Sequence, residues 1–122
     1  IGEEIEKTMH EILAKYQLSM TDYHVSPNVV ERRYEWRIEW ITPPENFGII
    51  ESELDKSLAS KNKYYSDLIK GNIINSSRIL SLPPFTFYRL REKEGKLGGQ
   101  NKLIRISNTE DYASKLDACG SK

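Results

Sequence analysis

The sequence has little of what several classes of protein require. Its one cysteine, Cys119, cannot form an internal disulfide, which is typical of a reducing compartment, so we expect a cytoplasmic location. Basic and acidic residues number 18 each, so the chain lacks the basic excess of a nucleic-acid binder. No apolar run approaches the roughly 18 residues of a membrane span, and no signal-peptide pattern opens the chain. We therefore expect neither a nucleic-acid partner nor a membrane.

Metal-binding and catalytic motifs are also missing. The two histidines, His10 and His24, and Cys119 are scattered without metal-ligand spacing, so we predict no metal site. There is no GxxxxGK[ST] phosphate-binding frame, and no Ser/His/Asp or Cys/His arrangement that spacing alone supports. With 122 residues, the chain reads as one domain, 1–122, without room for separate nucleotide-binding and substrate domains. Because it opens directly into a helical pattern, we expect it to be cut from something longer.

What the sequence does have is clear hydrophobic periodicity. Apolar residues at three- and four-residue steps predict an amphipathic helix over 2–18. Residues 34–41 alternate, with two tryptophans on the apolar side and Glu35, Arg37 and Glu39 on the other. With a strand over 21–30, this segment predicts an antiparallel hairpin that has one buried face and one polar face.

The remaining elements complete a mixed pattern. Thr42-Pro43-Pro44-Glu45 predicts a capped helix start, and the helix that follows should bury an apolar series that begins at Phe47. This helix is predicted over 43–60, further helices over 62–70, 84–94 and 109–118, and further strands over 77–82 and 101–106. The sequence thus predicts an α+β fold: a small mixed or antiparallel four-stranded sheet, made of one N-terminal hairpin and two further strands, flanked by about five helices.

The stretch GKLGGQNKLIR, residues 95–105, follows the predicted helix over 84–94 and runs into the predicted strand over 101–106. Gly98 and Gly99 can take positive φ cheaply, so the backbone can turn tightly or approach a ligand closely. Gln100, Lys102 and Arg105 would then be presented from a short strand beside the turn. One interpretation is an edge strand with solvated basic residues. The other is a functional lysine, whose ammonium reaches a phosphate or a developing oxyanion in a neighbouring domain.

Several fragments, in order and spacing, resemble a known family. The sequence is similar to the C-terminal domain of the auxin-responsive acyl-acid amido synthetases, in particular their bacterial members, over nearly the whole chain. The matching fragments are DYHVSP at 22–27, EWRIEW at 35–40, LDKSL at 54–58, Asn62 with Tyr65, Phe87, GKLGGQNK at 95–102 and Ser107-Asn108. The chain departs from the family pattern at Ile104, where proline is usual, and at Ile69, where a basic residue is usual.

The resemblance implies an adenylate-forming parent enzyme of the firefly-luciferase superfamily. An N-terminal adenylation domain of the same polypeptide would bind ATP, Mg²⁺ and an acyl acid, and an amino acid would receive the acyl group. This chain would be the mobile lid, inactive alone and without a cofactor of its own. Lys102 would be the catalytic lysine, and Gly98, Gly99, Gln100 and Arg105 would contact the nucleotide. The alternative is a stand-alone α+β interaction domain without enzymatic activity. An ATP-binding domain encoded immediately upstream would favour the lid, and its absence would favour the interaction domain.

Overall fold

A computed structural model describes residues 2–95 and 105–120 of the chain. The elements in chain order are α1 (Gly2–Tyr16), β1 (Ser19–Asn28), β2 (Arg33–Thr42), α2 (Phe47–Lys61), α3 (Lys63–Lys70), β3 (Arg78–Ser81), α4 (Thr86–Lys93) and α5 (Asp111–Gly120). Helices and strands are mixed along the chain, so the predicted α+β class is confirmed.

The sheet is smaller than the sequence predicts. In the described residues it has three strands in the order β1-β2-β3, with β1 antiparallel to β2 and β2 parallel to β3. The predicted fourth strand is replaced by one isolated parallel bridge between Ile106 and Val25, and residues 101–104 of that prediction lie outside the described residues. Pairing ends after Ser107, because the chain then turns towards α5. The expectation of four strands was therefore wrong.

One face of the hairpin forms the main core. Val25 and Trp36, which are cross-strand partners, are at most 1% exposed. Residues of α1, α2 and α3 cover them, among them Ile5, Leu54 and Tyr65. The prediction that the aromatic residues of this strand belong to the core is confirmed for Trp36, since burial of so large a side chain removes much apolar surface from water.

The other face of the hairpin is polar, as predicted, but it is not solvated. Glu35, Arg37 and Glu39 are only 5%, 7% and 4% exposed. Helices α4 and α5 cover this face and carry a second apolar cluster that includes Leu90 and Leu116. The alternation in the sequence therefore marks a layer of buried charges between the sheet and two helices, and not a face in contact with water.

Helix α2 begins later than the sequence predicts. Its N-cap is Asn46, whose side chain accepts a hydrogen bond from the Ile49 N–H, so the proposed capping box at residues 42–45 was wrong. The reason is the Pro43-Pro44 pair, because a residue before proline is pushed away from the helical region. Phe47, at the first turn, is 37% exposed and packs edge-on against Trp40.

Candidate functional site

The glycine–lysine segment has well-defined ends. Helix α4 is followed by Gly95, which has φ +68° and donates its N–H to the Glu92 carbonyl. At the other end, the Arg105 carbonyl accepts a 2.7 Å hydrogen bond from the Val25 N–H. The predicted site residues Gly98, Gly99, Gln100 and Lys102 lie outside the described residues. The segment therefore leaves the end of α4 and returns at the outer edge of β1.

Arg105 is the predicted site residue that the structure describes. Its Nε donates a 2.9 Å hydrogen bond to Asp22 Oδ1, and its guanidinium carbon lies 5.7 Å from the ring centroid of Tyr23. The hydrogen bond to Asp22 raises the pKa of Arg105, with burial acting in the opposite direction. Because 48% of its side chain is exposed, Arg105 presents a fixed positive charge at the surface while β1 holds its backbone.

Two buried carboxylates organise the region around Arg105. Asp22 and Glu39 are directly opposite each other in the β1–β2 register. Asp22 binds Arg105, and Glu39 Oε1 accepts a 3.0 Å hydrogen bond from the Phe87 N–H in the first turn of α4. A carboxylate at a helix N-terminus accepts a hydrogen bond from an otherwise unpaired N–H, and its negative charge interacts favourably with the helix dipole. One cross-strand pair thus holds both α4 and the arginine that follows the glycine–lysine segment.

A cavity of about 550 Å³ opens beside this pair. Its walls combine aromatic and aliphatic side chains with two carboxylates and one guanidinium. The lining residues are Thr21, Asp22, Glu39, Trp40, Ile41, Pro84, Phe85, Phe87, Tyr88 and Arg91. Concave surfaces of this composition, mostly apolar with a few polar groups, are typical of binding sites.

Helix α5 is attached to the same polar face by a buried arginine. Arg37 donates from Nε and a terminal nitrogen to the two carboxylate oxygens of Asp117, at 2.8 and 2.9 Å. A second carboxylate, Glu35, lies 3.4 Å from Arg37. Burial alone would lower the pKa of Arg37, but the hydrogen bonds to Asp117 and the two nearby carboxylates raise it. The paired geometry satisfies the arginine in a water-poor environment.

A second buried polar network lies on the opposite side of the sheet. Asp55 accepts hydrogen bonds from the Tyr65 hydroxyl at 2.5 Å, the Ser77 N–H at 2.9 Å and the Ser77 hydroxyl at 2.7 Å. Trp36 Nε1 donates to the Ser77 hydroxyl at 3.1 Å. Burial, followed by the charge of Asp55, raises the pKa of Tyr65. This network joins α2, α3 and the start of β3 to the core, which is a structural role.

Across residues 2–95 and 105–120, no group of three His, Cys, Asp or Glu side chains is placed to hold a metal ion. Among the helices of the described residues, none is long and apolar enough to span a membrane.

The fold is therefore a small α+β domain in which a hairpin holds a surface arginine after a glycine-rich segment. The chain belongs to the GH3 family: the sequence model of the GH3 family C-terminal domain matches residues 3–111. A search of curated proteins finds no significant match.

Solved structures with the same fold include two acyl acid amido synthetase structures. One is AtGH3.15 acyl acid amido synthetase in complex with 2,4-DB, with a TM-score of 0.67, 18% identity, and coverage of 94% of this chain and 23% of that chain. The other is GH3.15 acyl acid amido synthetase, with the same TM-score, identity and coverage of this chain, and 24% of that chain. This chain therefore spans about a quarter of the length of these proteins.

Three residues of the site were not assigned a role from the sequence. Asp22 and Glu39 lie within the matching fragments, but nothing in a linear pattern shows that they face each other across a hairpin. Their signal was the shared period of two, which places both on the polar face. Arg91 gave no signal, because one arginine on a helix that also carries Arg89 and Lys93 is typical of a solvated surface.

Proposed function

We propose that this chain is the C-terminal lid domain of an ATP-dependent acyl-acid amido synthetase and is inactive by itself. The observation that carries the proposal is the match to the GH3 family C-terminal domain over residues 3–111. The limited coverage of the two synthetase structures supports a larger N-terminal domain as the partner within the same polypeptide.

The reaction has two steps. A carboxylate oxygen of the acyl acid attacks the α-phosphorus of ATP, pyrophosphate leaves, and an acyl-adenylate forms. The amine of an amino acid then attacks the acyl carbon, loses a proton, and displaces AMP to give the amide. Mg²⁺ offsets phosphate charge when bound. In this proposal ATP and Mg²⁺ bind to the N-terminal domain, as the family resemblance implies.

Lys102 is the catalytic residue in this proposal. Its ammonium approaches the acyl-phosphate oxygens and offsets the negative charge that develops during adenylation. Gly98 and Gly99 allow the backbone to come close to the nucleotide, and Gln100 supports the same contact. A lid of this kind excludes water, which protects the adenylate from hydrolysis.

Arg105 assists from a fixed position. Asp22 binds its Nε, and among the described residues its terminal nitrogens have no hydrogen-bond partner. Those donors are therefore available to a phosphate oxygen or to a carboxylate of the N-terminal domain. The backbone hydrogen bonds of residues 105–107 to β1 support this role, because they fix the position of Arg105. Arg105 follows Lys102 by three residues in the sequence.

The test uses the intact native protein. Pyrophosphate release is measured with ATP, Mg²⁺ and a panel of carboxylic acids for the wild type, Lys102→Ala and the control Lys63→Ala, whose side chain is 90% exposed on α3. We expect Lys102→Ala to slow adenylation by about 100-fold or more, with an unchanged melting temperature, and Lys63→Ala to have no effect. Unchanged pyrophosphate release in Lys102→Ala would exclude the proposed role.

The mass of the native gene product separates the lid from a stand-alone interaction domain. A product several times larger than the 14.2 kDa of this chain supports the lid. A product of this size, with no ATP-binding domain attached, contradicts the lid and favours the interaction domain.

A further inference from the structure

Helices α4 and α5 pack against each other through apolar side chains. The buried members of their shared cluster are Phe87, Leu90, Tyr112, Leu116 and Cys119. Two polar contacts add to it: Arg89 Nε donates to the Cys119 carbonyl at 3.2 Å, and Lys115 Nζ donates to Glu94 Oε2 at 3.4 Å. Because apolar burial is the main favourable term in folding, this pair of helices, which we call the α4–α5 layer, holds together by itself.

The α4–α5 layer meets the hairpin through a polar interface. Six residues on that face of β1 and β2 are polar or charged and buried: Asp22, His24, Ser26, Glu35, Arg37 and Glu39. Two of them bind the layer, since Arg37 pairs with Asp117 on α5 and Glu39 accepts from the Phe87 N–H on α4. Desolvation offsets much of the attraction between buried charges, so this interface contributes less net stability than an apolar interface of the same size.

Packing between the α4–α5 layer and the hairpin is incomplete. The 550 Å³ cavity lies between them, because its walls come from β1 and β2 on one side and from α4 and the residues before it on the other. The Ser26 hydroxyl and Arg91 Nε are buried, and neither has a hydrogen-bond partner within residues 2–95 and 105–120. A buried polar group without a partner costs free energy that contact with water restores, so both groups favour separation.

Two short, exposed connections attach the α4–α5 layer to the rest of the domain. Residues 83–85 lead into α4, and residues 108–110 lead into α5; all six are exposed. Phe85 also has φ +68°, a left-handed conformation that is strained for a bulky residue. Neither connection contributes a side chain to a core, so both can change conformation without disrupting one.

We propose that the α4–α5 layer separates from the hairpin as one cooperative unit while the main core stays folded, with residues 83–85 and 108–110 as its hinges. The main core keeps its apolar contacts with α1, α2 and α3. Gly95 follows α4 and moves with it, whereas Arg105 stays on β1 through Val25 and Asp22. Separation therefore changes the distance between the two ends of the glycine–lysine segment.

Hydrogen exchange of the intact native protein, followed by mass spectrometry of its peptides, measures the opening of each element. We expect the amides of α4 and α5 to share one opening equilibrium, with a constant about 100-fold larger than that for β2 and α2. Asp117→Ala removes the contact between α5 and Arg37. It should accelerate exchange in α4 by the same factor as in α5, about tenfold. The control Asp67→Ala, an exposed residue of α3, should change neither helix.

A second variant lies in the main core. Tyr65→Phe removes the hydroxyl that donates to Asp55 and should accelerate exchange in β2 and α2 by about tenfold. Exchange in α4 and α5 should stay unchanged, because the α4–α5 layer opens while the main core is intact.

Acceleration of α4 and α5 in Tyr65→Phe would overturn the proposal, since the domain would then open only as a whole. So would wild-type exchange in α4 and α5 as slow as in β2 and α2. Acceleration of α5 without α4 in Asp117→Ala would also refute it, because the two helices would then open independently. The measurement does not use turnover, so its outcome is independent of the proposed role of Lys102.

Discussion

Removing the Asp55 carboxylate tests the buried network that joins α2, α3 and β3. Asp55 is 9% exposed and accepts three hydrogen bonds, from the Tyr65 hydroxyl and from the N–H and hydroxyl of Ser77. In Asp55→Ala, the buried Ser77 N–H and one hydroxyl lose their acceptor, at about 1–3 kcal/mol each. The two hydroxyls lie 3.3 Å apart and can bond to each other, which offsets part of the loss.

We therefore expect Asp55→Ala to lower the free energy of unfolding by about 3–5 kcal/mol. For 122 residues the total is about 6–18 kcal/mol, so the loss is a large fraction of it. Urea denaturation followed by tryptophan fluorescence measures the change directly, because Trp36 donates to Ser77 within the network. The matched control is Asp67→Ala, since Asp67 is 61% exposed and has one ion pair at 3.4 Å, and it should stay within about 0.5 kcal/mol of the wild type.

A double-mutant cycle makes the reasoning refutable. Tyr65→Phe removes the hydroxyl that donates to Asp55. The loss of unfolding free energy caused by Tyr65→Phe should therefore be smaller in the Asp55→Ala background than in the wild type. Additive costs would mean that the two groups do not interact as described. A loss below about 1 kcal/mol in Asp55→Ala would show that the carboxylate is replaceable by water.

Three further predictions concern pH and the polar face. The pKa of Tyr65 is raised by burial and by Asp55, so above pH about 10 the unfolded chain releases a proton that the folded chain keeps. Above that pH, the free energy of unfolding should fall more steeply with pH in the wild type than in Tyr65→Phe, and the two slopes should differ by about 1.4 kcal/mol per pH unit. Urea denaturation at pH 9 and 11 measures both slopes, and equal slopes would contradict the prediction. Glu39→Ala removes the acceptor of the Phe87 N–H and should cost about 1–2 kcal/mol, most of which Glu39→Gln should restore if hydrogen bonding is the cause. Asp117→Ala leaves the buried Arg37 with a 3.4 Å contact to Glu35; since Asp117 is half exposed, thermal denaturation should show a loss of about 1–2 kcal/mol, and no loss would mean that water replaces Asp117.

The hairpin could be predicted because a strand with one buried face leaves a period of two in the sequence. Trp36 and Ile38 are buried as the pattern requires. The fate of the polar face could not be predicted, because an alternating strand has the same pattern whether its charged side faces water or faces charged partners. Here Arg37 binds Asp117, which lies on α5, 80 residues later in the chain, and no local sequence pattern predicts that contact.

The errors at element ends have local physical causes. The predicted start of α2 relied on a capping pattern that contained two prolines, yet the chain keeps Pro43 and Pro44 outside the helix and uses Asn46 as the cap. The predicted fourth strand relied on an apolar segment over 101–106, of which residues 101–104 lie outside the described residues. At the edge of β1, counting partners among the described residues, residues 105–107 form two backbone hydrogen bonds, both with Val25.

The fragments that carry the family resemblance separate into two groups once their contacts are known. Asp55 and Tyr65 bind each other in the core, so a substitution there acts on stability before it acts on activity. Asp22 and Glu39 face the opposite layer and hold the two ends of the glycine–lysine segment through Arg105 and α4. A change in either carboxylate should therefore act on the described elements on the two sides of that segment, Arg105 and α4. For this reason the polar layer links the fold to the proposed chemistry, and its residues are the ones whose effects on activity and on stability must be measured together.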